Sequence, residues 1–225
     1  NCPVIIHLPF ATVLSKIILG RDISFKNAFE IGKSGGGSSN FENRRYWEHN
    51  LFQSNEYDQF SDHDKVKYGT INWAHSLKGC AQVSRHSYGN SYLVLRDEVK
   101  ENRCTYTRYD SSYLRKLKLP QHLGTYNSLG YIGLQVLLDA ELADVLAIKE
   151  YQEKGEIGVF NPVMNKLEDY IEVQIHGEIL FSRDVLRIMM SSRLNIPKIH
   201  KELKEFFEII GTTIDYGFFD EEQDY

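Results

Sequence analysis

Ten residues near the end of the chain do most to fix what it can fold into. Tyr170-Ile171-Glu172-Val173-Gln174-Ile175-His176-Gly177-Glu178-Ile179 alternates strictly. Ile171, Val173, Ile175 and Ile179 fall on one side, and Tyr170, Glu172, Gln174, His176 and Glu178 fall on the other. A period of two belongs to a β-strand, whose successive side chains point to opposite faces. The apolar face requires a core and the polar face ordinarily meets water, as in an edge or antiparallel sheet. Gly177 deletes a side chain on the apolar side and permits a bend.

Other segments supply partners for that strand. Val4-Ile5-Ile6-His7-Leu8 reads as a short buried strand closed by Pro9, after which Thr12 caps an apolar stretch reaching Gly20. Residues 68–73, 91–95 and 105–109 are short runs of aromatic and β-branched residues, expected as antiparallel strands. Helical patterns run from Arg44 to Phe52 and from Gly130 to Lys154, with Gly155 as a stop. Ser182-Arg183-Asp184 is expected to cap a short helix through Met190. Beyond Pro197, Ile199, Leu203, Phe206, Phe207 and Ile210 repeat at helical spacing and Gly211 ends the pattern. Strands and helices in this order, with no repeat and no linker, predict a single α+β domain over residues 1–225 with a solvated acidic tail.

Composition removes several function classes. With 26 Lys plus Arg against 31 Asp plus Glu, the net charge of −5 argues against nucleic-acid binding, which needs clustered cations. No apolar run approaches the ~20 residues of a membrane span, so no membrane partner is expected. Cys2, Cys80 and Cys104 form no CxxC pair, which speaks against a disulfide framework or a structural zinc and for a reducing, cytoplasmic environment. The chain begins with Asn and is expected to be a piece of a longer one.

Three places can hold chemistry. Glu172, Gln174, His176 and Glu178 would stand about 7 Å apart on one strand face, a rigid way to hold several groups on one substrate. Phe29 through Ser38 is rich in glycine and hydroxyls, with Gly32, Ser34 and Gly36, and can offer backbone N–H groups to a diphosphate, although it has neither the Walker nor the Rossmann spacing. Arg44 and Arg45 follow; a guanidinium can fork onto phosphate, or Arg45 can pair with Glu48 along a helix. His7, within an apolar strand, reads first as a core histidine bonded to a backbone carbonyl. The sequence has neither HExxH nor GxSxG, so no metal and no serine nucleophile is expected.

Six ordered segments resemble one family. They are Phe29-Glu30-x-Gly32-x-Ser34-x-Gly36, Arg45-x-Trp47-Glu48-x-x-Leu51-Phe52, Lys67-Tyr68-Gly69, Tyr88-Gly89-x-Ser91-Tyr92-x-x-Leu95-Arg96, Arg103-x-Thr105-Tyr106 with Asp110-Ser111, and Tyr170 to Gly177. Across residues 4–190 this pattern is similar to the CteC-like family of bacterial proteins, which includes a secreted threonine-specific mono-ADP-ribosyltransferase acting on host ubiquitin and whose members need not share one acceptor. The resemblance implies an ADP-ribosyltransferase-like core of two packed, mostly antiparallel sheets around an NAD cleft. It also implies a secreted monomer that works in the host cytosol on a protein acceptor, with ubiquitin as the acceptor the resemblance offers. It places His176, Gln174 and Glu172 as the catalytic row and His7, Phe29, Gly32, Ser34, Gly36 and Arg45 around NAD. Where the superfamily usually has Gln/Glu-x-Glu, this chain offers Gln174-x-His176 or Glu172-x-Gln174, and either can be the ribose ligand. An imidazole titrating near ~6.5 would suit a threonine acceptor. An NAD glycohydrolase, a transferase with another acceptor, and a non-enzymatic protein-binding module are the alternatives.

Overall fold

The computed structural model describes residues 2–32, 41–52, 54–72, 75–80, 88–89, 91–107, 111 and 170–220. Its largest element is a seven-stranded sheet in the order β5-β6-β3-β1-β4-β8-β9. The strands are β1 (Val4–Leu8), β3 (Lys67–Ile71), β4 (Ser91–Leu95), β5 (Cys104–Thr107), β6 (Glu172–Ile175), β8 (Val185–Ser191) and β9 (Asp215–Phe219). Every neighbouring pair is antiparallel except β8 and β9, which run parallel. A parallel pair needs a crossover, and the helix Pro197–Ile210 supplies it. A separate two-stranded ribbon joins β2 (Ser24–Phe25) to β7 (Ile179–Leu180). The chain is therefore α+β, with one large, mostly antiparallel sheet and a small one.

Strand periodicity divides the large sheet into two unlike faces. Ile6, Leu8, Leu93, Val173, Ile175, Ile188 and Met190 make one face, which packs on Leu14, Ile17 and Ile18 and on Ile199, Leu203 and Phe206 of the Pro197–Ile210 helix. Burying side chains of this size is favourable by about 1.5–3 kcal/mol each. That helix has Pro at its first turn and closes at Gly211 in the left-handed region (φ 69°), as its sequence predicts. On the opposite face Ile5, Tyr92, Met189 and Phe219 form a smaller apolar group. Toward β6 this second face becomes polar: Thr105, Gln174 and Tyr68 lie side by side in register, as do Glu172 and Thr70.

Several expectations change. β6 is not an edge: it sits between β3 and β5, and its polar face is covered rather than wet. Residues 185–191 form strand β8, not a helix; only Phe181–Asp184 is helical, because Val185, Ile188, Met189 and Met190 find a place beside β4. Helix begins at Phe10 rather than being capped by Thr12, with a π-type turn over Phe10–Leu14 followed by α-helix Ser15–Gly20. The helix expected before Phe52 starts at Phe41. The helical pattern at 130–154, residues 221–225 of the acidic tail, and Ser34 and Gly36 lie outside the described residues.

Candidate active site

The polar side chains of β6 are buried: Glu172 is 6%, Gln174 0% and His176 1% exposed. Water is therefore replaced by neighbours on β5 and by Ser111, as buried polar groups require. Gln174 Nε2 donates to Glu172 Oε1 at 2.8 Å, and the backbone N–H of Ser111 donates to the same oxygen at 3.2 Å. Thr105 Oγ1 donates to Gln174 Oε1 at 3.1 Å and lies 3.0 Å from His176 Nε2. The result is a continuous polar row, His176, Thr105, Gln174 and Glu172. Phe52, from the end of the Phe41–Phe52 helix, meets the His176 ring edge-on at 5.4 Å between centroids and closes that end of the row.

A second polar group is built by the same helix. Glu48, 1% exposed, accepts from the Tyr57 hydroxyl at 2.8 Å and from the Tyr68 hydroxyl at 2.9 Å. Tyr68 in turn accepts from Trp47 Nε1 at 3.3 Å. Arg44 stands one helical turn before Glu48, 3.8 Å away, with its guanidinium carbon 4.7 Å from the Trp47 ring centre, 5.3 Å from Tyr68 and 5.9 Å from Phe29. Burial raises the Glu48 carboxyl above its usual range, opposed by the Tyr57 hydrogen bond, the Arg44 charge, the Tyr68 hydrogen bond and the Lys65 charge. Tyr68 shares a face with Gln174, so the two groups adjoin across β3 and β6.

Beyond the row the chain turns at Gly177, which adopts φ 72°. Three cations hold this turn through carbonyls. Arg103 donates to the carbonyls of His176, at 3.1 Å, and Glu178 and pairs with Asp184 at 3.1 Å; Lys67 reaches the carbonyls of Gly177 at 3.1 Å and His63 at 2.9 Å; Arg183 reaches Glu178 at 3.0 Å. A planar guanidinium fork suits such convergent acceptors. The same positive charges act on His176. Burial lowers its pKa to about 3, with Arg103 and Lys67 adding to the effect. The expectation that it titrates near neutrality is corrected: the imidazole is neutral across the physiological range.

The residues expected around NAD divide. Phe29 packs on Phe41 at 5.6 Å and lies 5.1 Å from the Arg45 guanidinium as well as near Arg44, so it belongs to the second group. Arg45 does not pair with Glu48. It is 52% exposed and bonds Asp62 at 2.7 Å, and the helical partner of Glu48 is Arg44, four residues before it. Gly32 is the left-handed cap of helix Ala28–Ile31 (φ 65°), and its N–H is directed at Phe29 O, 3.4 Å away, rather than presented to a phosphate. His7 lies two strands from β6, roughly 10 Å. Its Nδ1–H donates to Gly89 O at 3.0 Å and its Nε2 accepts from Cys80 N–H at 2.9 Å. With both nitrogens engaged by backbone and burial lowering its pKa to about 4, it fastens Cys80 and Gly89, two points of the β3–β4 connection, to β1.

Thr105, Tyr68 and Glu48 were not singled out by sequence as site residues. Glu48 had a readable signal, its i,i+4 spacing from Arg44; Thr105 and Tyr68 had none beyond lying in the resembling segments, since only strand register brings them to Gln174. Among the described residues no group of three His, Cys, Asp or Glu is arranged to hold a metal, and no helix is long and apolar enough to cross a membrane.

A family model described as "Protein of unknown function (DUF3626)" matches residues 6–216. The chain belongs to this family. The DUF3626 match takes in both the β6 row and the group around Glu48. No curated protein matches the chain.

Proposed function

We propose that this protein is a mono-ADP-ribosyltransferase that moves ADP-ribose from NAD to a protein hydroxyl, with a threonine of ubiquitin as the acceptor implied by resemblance. The observation that carries the reading is the juxtaposition of the Glu172–Gln174–Thr105–His176 row with the aromatic and guanidinium group of Phe29, Arg44, Trp47, Glu48 and Tyr68. Cleavage of the nicotinamide–ribose bond leaves both bonding electrons with nicotinamide and develops positive charge at the ribose carbon, as in glycoside cleavage. A positioned carboxylate such as Glu172 stabilises that charge and can engage a ribose hydroxyl. The acceptor oxygen then bonds to the same carbon and its proton passes to solvent. Aromatic faces suit the flat nicotinamide cation, and Arg44 and Arg45 suit the diphosphate. His176, held neutral by burial, acts through Thr105 rather than as a titrating base. Secretion and action in a host cytosol follow only from the resemblance.

The complete burial of Gln174 and His176 favours a second reading, in which the row is structural and the chain is a protein-binding module. The test is NAD consumption and labelled ADP-ribose transfer by purified protein in a cell extract. The transferase reading expects turnover that falls roughly 100- to 10,000-fold in Glu172→Gln at equal folded fraction. Parental turnover in that variant, or no NAD consumption by the parent, sinks it.

A further inference from the structure

We infer that Thr105 is a positioning residue: it links His176 and Gln174 into a one-way chain of hydrogen-bond donors that ends on Glu172 and holds the Gln174 amide with its N–H toward the carboxylate. The direction follows from donor and acceptor chemistry. Glu172 Oε1 accepts the backbone N–H of Ser111, so Gln174 must face it with its amide nitrogen, as the 2.8 Å contact has it. The Gln174 oxygen is left toward Thr105, and a carbonyl oxygen can only accept. The single hydroxyl proton of Thr105 is therefore spent on Gln174, at 3.1 Å. What remains on Thr105 Oγ1 is lone pairs, so the 3.0 Å contact with His176 requires a proton on Nε2.

This order fixes three things that a lone side chain would leave free. It selects the Nε2–H tautomer of His176. It selects one of the two orientations that the two-fold terminal torsion of the Gln174 amide would otherwise share. It also polarises each bond by the next, so the donor reaching Glu172 is stronger than an isolated amide. The lowered pKa of His176 is consistent with an imidazole that keeps one fixed proton. All four members are buried, so no solvent competes for these bonds. The catalytic consequence rests on the transferase reading above; the chain of donors is a property of the fold.

The experiment uses 15N-labelled full chain, its Thr105→Val variant, which keeps shape but can neither donate nor accept, and Thr105→Ser, which restores the hydroxyl. Imidazole 15N shifts should show His176 protonated at Nε2. The Gln174 side-chain amide should exchange with solvent about tenfold faster in Thr105→Val and recover in Thr105→Ser. A His176 protonated at Nδ1, or Gln174 exchange indifferent to Thr105, overturns the chain whether or not the protein consumes NAD. In a parent that does turn over NAD, kcat of Thr105→Val should fall about 100-fold with KM for NAD little changed, and Thr105→Ser should recover it. Parental kcat in Thr105→Val overturns the positioning role. A parent without NAD turnover removes the transferase reading, and the two spectroscopic measurements still decide the chain.

Discussion

Tyr68 on β3 gives its one hydroxyl proton to Glu48 on the covering helix while taking another from Trp47, so a strand and a helix are joined through a single phenol oxygen. Burial shifts Tyr68 upward, reinforced by the nearby Glu48 charge, and keeps it protonated and donating.

Removing that donor should have a pH-dependent effect. Burial raises the Glu48 carboxyl in the folded state, so its contribution to stability is fully present below the unfolded pKa and is lost as pH rises through the folded one. Tyr68→Phe takes a donor from the ionised form in particular. The variant should lose about 1–3 kcal/mol at pH 8 and less at pH 4.5, measured by urea unfolding at both. An equal loss at the two values would show that Glu48 is not the partner that matters.

Histidine burial acts in the other direction. His7 and His176 are lowered from 6.5 to about 4 and about 3, so the stability each carries is present above pH 6.5 and is lost as pH falls toward those values. The shift at His176 corresponds to about 5 kcal/mol at full extent. His176→Gln keeps a donor for Thr105 but has nothing to titrate. Plots of unfolding free energy against pH should therefore be flatter for this variant below pH 6.5, with Glu48 and His7 common to both proteins; parallel curves would refute the assignment.

Arg103 is the residue on which the Gly177 turn depends most. Arg103→Lys retains the charge but offers a single ammonium to acceptors on His176, Glu178 and Asp184. Chemical denaturation should record a loss of about 2–3 kcal/mol. A loss under about 0.5 kcal/mol would mean that Lys67 and Arg183 hold the turn unaided.

Gly89 tests the backbone. Its φ of 88° is in the glycine region, and a Cβ there would stand 2.4 Å from Pro9 N. Gly89→Ala should cost about 3 kcal/mol or more, seen as a lowered melting temperature, because strain and backbone overlap add. Gly32→Ala, with nothing near its Cβ, should cost only the left-handed penalty of about 1–2 kcal/mol.

How much of this was legible depends on whether neighbours in sequence or in space decide a residue's fate. The Pro197–Ile210 helix was readable residue by residue because Ile199, Leu203, Phe206 and Phe207 select one face by themselves. The alternation at 171–179 was equally plain. Its polar half is ambiguous by sequence, since Glu172, Gln174 and His176 in alternation look the same facing water or facing Thr105. Only the pairing of Thr105 with Gln174 tells them apart, and that pairing spans 69 residues. Residues 185–191 differ from the helical expectation for a related reason: Ser182, Arg183 and Asp184 do lie in a helical turn, Phe181–Asp184, but β4 offers the following apolar residues a sheet. The apolar run holding His7 was read as a core strand, and its backbone-bonded histidine is what the structure has; the NAD role added by resemblance finds both its nitrogens occupied.

The position of β6 also sets the order of events during synthesis. Its neighbours on both sides are made much earlier, Lys67 opposite Ile175 and Cys104 opposite the same residue. A ribosome extending the chain from its first residue therefore releases β3 and β5 long before the strand that must slot between them. Until then Thr105 and Tyr68 face no amide, and the gap between β3 and β5 is two open ladders of backbone groups, the kind of surface that other strands join. Closing contacts over such separations is slow. A chain released before residue 176 lacks the row's last member, so whatever the site does begins only after that histidine has been added.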